Sequence, residues 1–328
     1  MKEQLVTKLP KVITAPVLII AFNRPDMLQI VFEQVRRAKP KKLYFAVDGP
    51  RPERMDDVEN CNKVKEIVKQ VDWPCDVHTL FRTENVGCGR GPAEAISWAF
   101  ENEDRLIILE DDCVAANSFF RFCEDMLERY KNDTRIWNIS GRSHQHGCKY
   151  FDNQDYLFSS YAHTNGWATW KRCWEQMDMM MSDVPEFLAM GGYINTFFNE
   201  KYVKIANEKL LKKYRTIEKE VTHSWDSQWG YAKAKNGGLG IVPCKNLIHN
   251  IGIGGTHTNK PTKALLMEAE ELPEMIRHPR FVLLNKGYEE LHFNNHVKRG
   301  RGYYTPTERF FLRVKKRIQR MFGGGIKL

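Results

Sequence analysis

Over the first 140 residues, short unbroken apolar runs alternate with longer segments in which apolar positions recur every three or four residues. The runs suit strands buried on both faces and the periodic segments suit amphipathic helices, so the alternation predicts an α/β domain with a mostly parallel sheet. Four strands are expected: Pro16 to Phe22 (PVLIIAF), Leu43 to Val47 (LYFAV), Val77 to Phe81, and Leu106 to Leu109 (LIIL). Asn23 and Pro25 open the first helix, whose inner face is read through Met27, Ile30, Val31 and Val35. Further helices are expected over Asp56 to Val71, from Pro92 to Phe100, and over Ser118 to Tyr130 with Phe119, Phe122, Cys123, Met126 and Tyr130 inward. Beyond about residue 140 the pattern loosens, and Trp, Tyr and Gly crowd the connections.

Composition narrows the class. With 42% hydrophobic and 28% charged residues in a chain of 328, disordered and collagen-like polymers are excluded. No apolar run reaches the ~18 residues a membrane span needs, and the start MKEQLVTKLP lacks the apolar stretch of a secretory signal. A cytoplasmic location is therefore expected, with cysteines 61, 75, 88, 113, 123, 148, 173 and 244 as reduced thiols. Charge is unevenly placed. From Lys298 onward ten basic residues face one acid, Glu308, an excess equal to the whole formal charge of +9. The preceding body is formally neutral.

Ligands of open α/β sheets bind beyond the carboxyl ends of the strands, so the residues ending each strand belong together. They are Phe22-Asn23-Arg24, Asp48-Gly49, Arg82 to Arg90, and Glu110-Asp111-Asp112. Three consecutive carboxylates repel unless a cation joins them, and oxygen-only ligands suit Mn²⁺ or Mg²⁺. The plainer alternative is a solvated acidic turn before the next helix. In Gly87-Cys88-Gly89-Arg90-Gly91 the glycines fit a mobile loop that lets backbone amides and Arg90 approach an anion, although no dinucleotide fingerprint or Walker A sequence is complete. Tyr161 to Trp170 (YAHTNGWATW) is dense in rings, and Trp167 is the candidate to stack on the apolar face of a sugar ring. His144-Gln145-His146 with Cys148 offers three ligands for a soft metal but no fourth, which favours a polar loop.

The segment LIILEDDCVAANSFFRF resembles the metal-binding stretch of GT-A fold glycosyltransferases, in particular the inverting N-acetylglucosaminyltransferases of the family 13 type, related to family 2, which carry EDD in place of DxD. The resemblance extends over roughly residues 15 to 250. It implies Asp112 as direct ligand of Mn²⁺ or Mg²⁺, with Glu110 and Asp111 on ribose or sugar hydroxyls. Phe22, Asn23 and Arg24 would form the donor edge, Asp48 would meet the uracil ring, and Arg82-Thr83-Glu84-Asn85-Val86-Gly87 resembles the N-x-G stretch of related sugar transferases. Ser224-Trp225-Asp226-Ser227-Gln228-Trp229 resembles that family's tryptophan-flanked acid, making Asp226 the general base. The rival is a helix whose Trp225 and Trp229 are its buried face. His249 or His257 stands where many GT-A enzymes place a late histidine on metal or diphosphate. The implied layout is a GT-A domain over 12–260 (nucleotide-binding half 12–140, acceptor-side half 141–260), a C-terminal extension 261–297 and a basic arm 298–328.

In that arm, Thr305-Pro306-Thr307-Glu308 is a capping box and Gly323 to Gly325 a stop, framing a helix over 306–322. Phe311, Val314, Ile318, Met321 and Phe322 fall on one side of the wheel and Arg309, Arg313, Lys316, Arg317 and Arg320 on the other. This suits an anionic membrane surface rather than nucleic acid, against which an apolar stripe has no use. The alternative is a helix docked on the body with its bases outward. The expected function is an inverting, metal-dependent transfer of sugar from a UDP-linked donor such as UDP-GlcNAc to a glycan or lipid-linked saccharide. A sugar nucleotidyltransferase is the first rival, though FNRPDML lacks its glycine-rich loop. A non-catalytic basic nucleic-acid- or membrane-binding protein would leave the strand-end acids unexplained.

Overall fold

The structure is a computed structural model that describes residues 5–196, 200–217, 224–252, 266–300 and 302–321. A short strand, β1 (Val6–Lys8), precedes β2 (Val17–Ala21), all five of whose residues are buried. In α1 (Pro25–Ala38) the buried stripe is Leu28, Val31, Phe32 and Val35, while Ile30 is exposed and Met27 half-buried. The inner face is thus rotated from the expected one, because these four positions keep the unbroken i, i+3, i+4, i+7 spacing of a single stripe. Then come β3 (Lys42–Val47), α2 (Met55–Ile67), β4 (Asp76–Phe81), α3 (Gly87–Phe100) and β5 (Arg105–Glu110), matching the expected alternation. α3 differs at its start. It begins at Gly87, five residues before Pro92, so the glycines build a first helical turn instead of a loop. Gly87 itself adopts φ +82, which an L side chain rarely tolerates.

The chain continues through β6 (Cys113–Ala115), α4 (Asn117–Arg129), β7 (Ile136–Ser140), β8 (Tyr156–Ser159) and β9 (Trp167–Trp170). All five residues expected inward on α4 and its end, Phe119, Phe122, Cys123, Met126 and Tyr130, are buried. Short helices α5 (Lys171–Trp174) and α6 (Val184–Ala189) lead to α7 (Val203–Ile217) and α8 (Asp226–Lys235). After β10 (Leu239–Pro243), β11 (Ile248–Asn250) and β12 (Met275–Arg277) come α9 (Lys286–His292), a π-helical turn over Phe293–Val297, α10 (Lys298–Gly300) and α11 (Pro306–Met321).

The main sheet has eight strands in the order β4-β3-β2-β5-β9-β7-β10-β8. β4, β3, β2 and β5 run parallel, β9 runs against both β5 and β7, and β10 is parallel to β7 with β8 antiparallel at the edge. The protein is therefore α/β with a mostly parallel central sheet. Strand order grows one way from β2 to β3 and β4, then resumes on the other side of β2 with β5. That reversal opens a crevice above the carboxyl ends of β2 and β5.

Within the C-terminal extension, residues 266–297 pack onto the body. β12 pairs with β1 in register Val6↔Arg277, and Ile276 and Leu272 enter the main core. The Glu271 carboxylate accepts the backbone N–H of Asn117 (2.9 Å) and Ser118 (2.7 Å), satisfying open donors at the start of α4. A terminal run with weak strand propensity gains its structure from this long-range pairing, which no local pattern announces. All eight cysteines are thiols, as expected.

Candidate functional site

A cleft of about 1030 Å³ lies over the carboxyl ends of the parallel strands, at the β2/β5 reversal. Its walls bring together Phe22, Asn23, Arg24, Asp48, Glu110, Asp111 and Asp112, all of them sequence candidates. Glu110 is the last residue of β5, and the following two carboxylates form the turn into β6. That turn is fixed by β6 pairing antiparallel with β11, Asn250 opposite Cys113.

The cation that the triplet requires is present in part as Arg24. Its guanidinium holds Asp111 through both oxygens (Nη2 to Oδ1, and Nε to Oδ2 at 3.2 Å) and reaches Asp112 Oδ2 at 3.1 Å. Asp111 is 3% exposed and also accepts the Phe22 N–H at 3.4 Å. Asp111 and Arg24 form a buried pair that stiffens the turn, which leaves Asp111 little open surface toward the cleft. Asp112 accepts Asn250 Nδ2 at 3.0 Å and is less enclosed, at 15% side-chain exposure. Burial, then the charges of Asp112 and Asp111, push the Glu110 carboxyl up to about 8, and Asp226 adds to that push. Arg24 pairs with Asp111 and reaches one oxygen of Asp112, and Glu110, already raised by burial, is raised further by repulsion from Asp112; the two offer oxygen donors alone. That donor set fits a hard divalent cation held by Asp112 and Glu110.

On the opposite wall Asp48 is committed to the backbone. It accepts the N–H groups of Gly49 (2.9 Å), Val86 (3.1 Å) and Gly87 (3.1 Å) and the Asn85 amide at 3.1 Å. It therefore shapes the loop into α3, and a base ring would have to compete with four donors for it. Asn23 likewise donates away from the cleft, to Asp57 Oδ1 at 2.6 Å, and Arg51 binds the same carboxylate at 2.5 and 2.9 Å. The Arg51 hydrogen bond chiefly holds Asp57 down to about 2. Because the folded value lies below that of an unfolded carboxylate, this pair stabilises the protein fully above about pH 4 and loses its effect as pH falls through 2. Asp57→Asn is expected to lower stability by about 2 kcal/mol near pH 6 and to converge with the parent near pH 2, read from urea midpoints across that range. Parallel curves down to pH 2 would contradict the pairing.

Three expectations are corrected. Arg90 lies on the outer face of α3, exposed and paired with Glu94 at 2.8 Å, because the helix starts at Gly87 and turns that position outward. Trp167 is 1% exposed, stacked on Trp225 (centroids 5.6 Å, 24°) and beside Trp229 and Trp174. It is core, on the interior strand β9, and His163 and Asn165 just before it reach the cleft instead. His249 bonds Glu268 at 3.1 Å, whereas its neighbour Asn250 holds Asp112; strand alternation on β11 selects the asparagine. His257 lies outside the described residues. As the polar-loop reading of this segment expects, His146 pairs with Glu270 at 2.9 Å.

Asp226 opens α8, exposed, with Trp225 and Trp229 buried beneath it. The helix-face reading of the tryptophans is right, and the acid still stands near enough to Glu110 to act on its titration. Sequence reasoning missed Arg142, buried at the end of β7, and His163 and His296, which meet His144 in the cleft wall. Recognising β7 as a fifth strand running in the common direction would have flagged Arg142, since it too follows a carboxyl end. Burial, then the charges of His296 and Arg142, push the His144 imidazole down to about 2.

No family model and no curated protein matches the chain, so the resemblance of the EDD segment rests on its residues alone. Among solved structures the chain is similar to HddC from Yersinia pseudotuberculosis (12% identity, 49% of this chain and 79% of that one, TM-score 0.31). It is also similar to a UDP-glucose pyrophosphorylase complexed with UDP-glucose (8%, 50% and 78%, 0.29) and to the inositol-1-phosphate CTP transferase from T. maritima (7%, 50% and 73%, 0.31).

Proposed function

We propose that the protein is a metal-dependent transferase acting on a nucleotide-activated sugar, moving the sugar from a UDP-linked donor to a glycan or lipid-linked saccharide. The observation that carries this is the meeting of Glu110 and Asp112 with Arg51, Arg82 and Arg142 in one cleft at the strand reversal. Carboxylates alone would repel a diphosphate and arginines alone would bind any anion; the pair of them selects a phosphate ligand that arrives with a cation. Asp112 and Glu110 would hold Mn²⁺ or Mg²⁺, which supplies Lewis-acid stabilisation of the departing diphosphate. Arg142, buried and near enough to Asp112 to be influenced by its charge, orients phosphate oxygens. Asp226 accepts the proton of the attacking acceptor hydroxyl, which corresponds to an inverting displacement.

Nucleotidyl transfer, in which a sugar phosphate attacks a nucleoside triphosphate, is the second reading. It is favoured by the number of arginines on the cleft, since Arg54 joins Arg51, Arg82 and Arg142 there, a charge suited to a triphosphate. Products decide between the two. Supplied with a nucleotide-sugar panel, saccharide acceptors and Mn²⁺, the protein should release nucleoside diphosphate; release of pyrophosphate from nucleoside triphosphate and sugar phosphate would establish the second reading instead.

We further propose that α11 docks on an anionic membrane. No helix among the described residues is long and apolar enough to cross one. The capping box forms, with Thr305 N donating to Glu308 Oε2 at 2.9 Å and Glu308 N to Thr305 Oγ1 at 3.3 Å. Glu308 also gathers Lys298 (2.8 Å), Lys201 (3.2 Å) and Tyr202 (3.0 Å), fixing the helix start to the body. Phe310, Phe311, Leu312 and Val314 nevertheless stay exposed, Phe311 at 63%, so the first turns of the apolar side are not docked on the body. Co-sedimentation with anionic vesicles should weaken as salt rises and weaken further in Phe311→Ser with Val314→Ser even at low salt. Equal behaviour toward neutral and anionic vesicles, or no binding, would contradict the proposal.

A further inference from the structure

Three imidazoles converge on the cleft wall from segments far apart in sequence. His144 follows β7, His163 precedes β9, and His296 belongs to the π-helical turn after α9. Their ligand nitrogens all lie within 4.8 Å of one another. The rings of His144 and His296 stack with centroids 3.8 Å apart, and His163 meets His144 edge-on at 4.4 Å. We infer that His144, His163 and His296 form a binding site for one borderline transition-metal ion of the Zn²⁺ class, separate from the carboxylate turn.

The chemistry of the donors carries the distinction. Three imidazoles with no carboxylate among them suit Zn²⁺, Co²⁺, Ni²⁺ or Cu²⁺, whereas the oxygen-only Glu110 and Asp112 suit Mn²⁺ or Mg²⁺. Metal–nitrogen bonds of about 2.0–2.1 Å set nitrogens of a tetrahedral site roughly 3.3 Å apart. From nitrogens within 4.8 Å of one another, the site closes by at most about 1.5 Å, within reach of ring rotations. A three-histidine set leaves one position open, and since all three residues line the cleft, that position faces the space where a ligand would lie.

The elements that bring the histidines together are also fastened to one another. Asn295 Nδ2 donates to Gln145 Oε1 at 3.0 Å, joining the turn that carries His296 to the loop that carries His144. The His163 N–H donates to Ser140 Oγ at 3.2 Å, tying its segment to the end of β7. Fully buried Glu289 of α9 accepts the hydroxyls of Ser159 and Ser160 at the end of β8. A π-turn inside a helix is itself a departure that recurs at functional sites, and here it places the ligand-bearing residue. Such fastening is what a preformed site requires and what incidental packing of polar rings does not.

Titration of the full chain with Co²⁺ tests the assignment, because four-coordinate Co²⁺ absorbs strongly in the visible and six-coordinate oxygen-bound Co²⁺ does not. One strongly absorbing Co²⁺ per chain is expected, displaced by Zn²⁺, retained in Asp112→Asn, and weakened about tenfold or more in His144→Gln and, independently, in His296→Gln. Unchanged far-UV circular dichroism and melting in these variants separates lost ligation from lost folding; should one variant unfold, the other decides. Absence of the visible band in the parent, or its persistence at full strength in both histidine variants, would overturn the site. Because the band does not depend on turnover, this result is independent of whether the chain transfers sugars or nucleotides.

Discussion

Asp112→Asn is expected to remove the Mn²⁺-dependent part of donor binding and to lower turnover by about 10² or more, the scale of losing an electrostatic stabiliser of the departing group. The amide keeps the shape of the side chain but not its charge. It also meets two donors, Asn250 Nδ2 at 3.0 Å and Arg24 Nη2 at 3.1 Å, with only one oxygen to offer them. One donor then loses its partner, a cost of about 1–3 kcal/mol that appears in stability as well as in binding. Binding must therefore be separated from folding. Calorimetric titration of a nucleoside diphosphate, with and without Mn²⁺, is to be read beside the melting temperature of the same sample. A variant that melts lower yet keeps Mn²⁺-enhanced binding would show that Asp112 only braces the turn, and the metal assignment would fall to Glu110 or elsewhere.

The first half of this fold is legible because its strands are short, continuous and apolar, and because the helices between them carry clear stripes. Val17–Ala21 and Arg105–Glu110 announce themselves, and so does the acidic turn that ends the second of them. What the sequence hides are features made by distance. Nothing near Val6 indicates that it will pair with Arg277, and nothing near His296 indicates His144. Trp167 misleads for a related reason. Its ring could cover a sugar or fill a core, and the choice was made by Trp225 and Trp229, contributed from 58 and 62 positions further on. Arg24 shows the same limit in the site itself. Its place at a strand end was readable, but whether it faces ligand or Asp111 depends on which partner the crossover brings within reach.

Asp226→Asn is expected to leave donor affinity nearly intact while reducing kcat by about 10² or more, the contribution typical of a positioned general base. The residue has two possible duties, and their sizes differ. As the acid in the first turn of α8 it favours the helix N-terminus by about 0.3–1 kcal/mol, an effect confined to stability. As base it lowers a barrier by roughly 2.7 kcal/mol, the equivalent of 10² in rate. Because Trp225 and Trp229 anchor the helix in the core, the amide variant should fold, and a small drop in melting temperature cannot account for a hundredfold loss. Near-parental kcat in Asp226→Asn would remove Asp226 from the chemistry and leave it as the charge at a helix end.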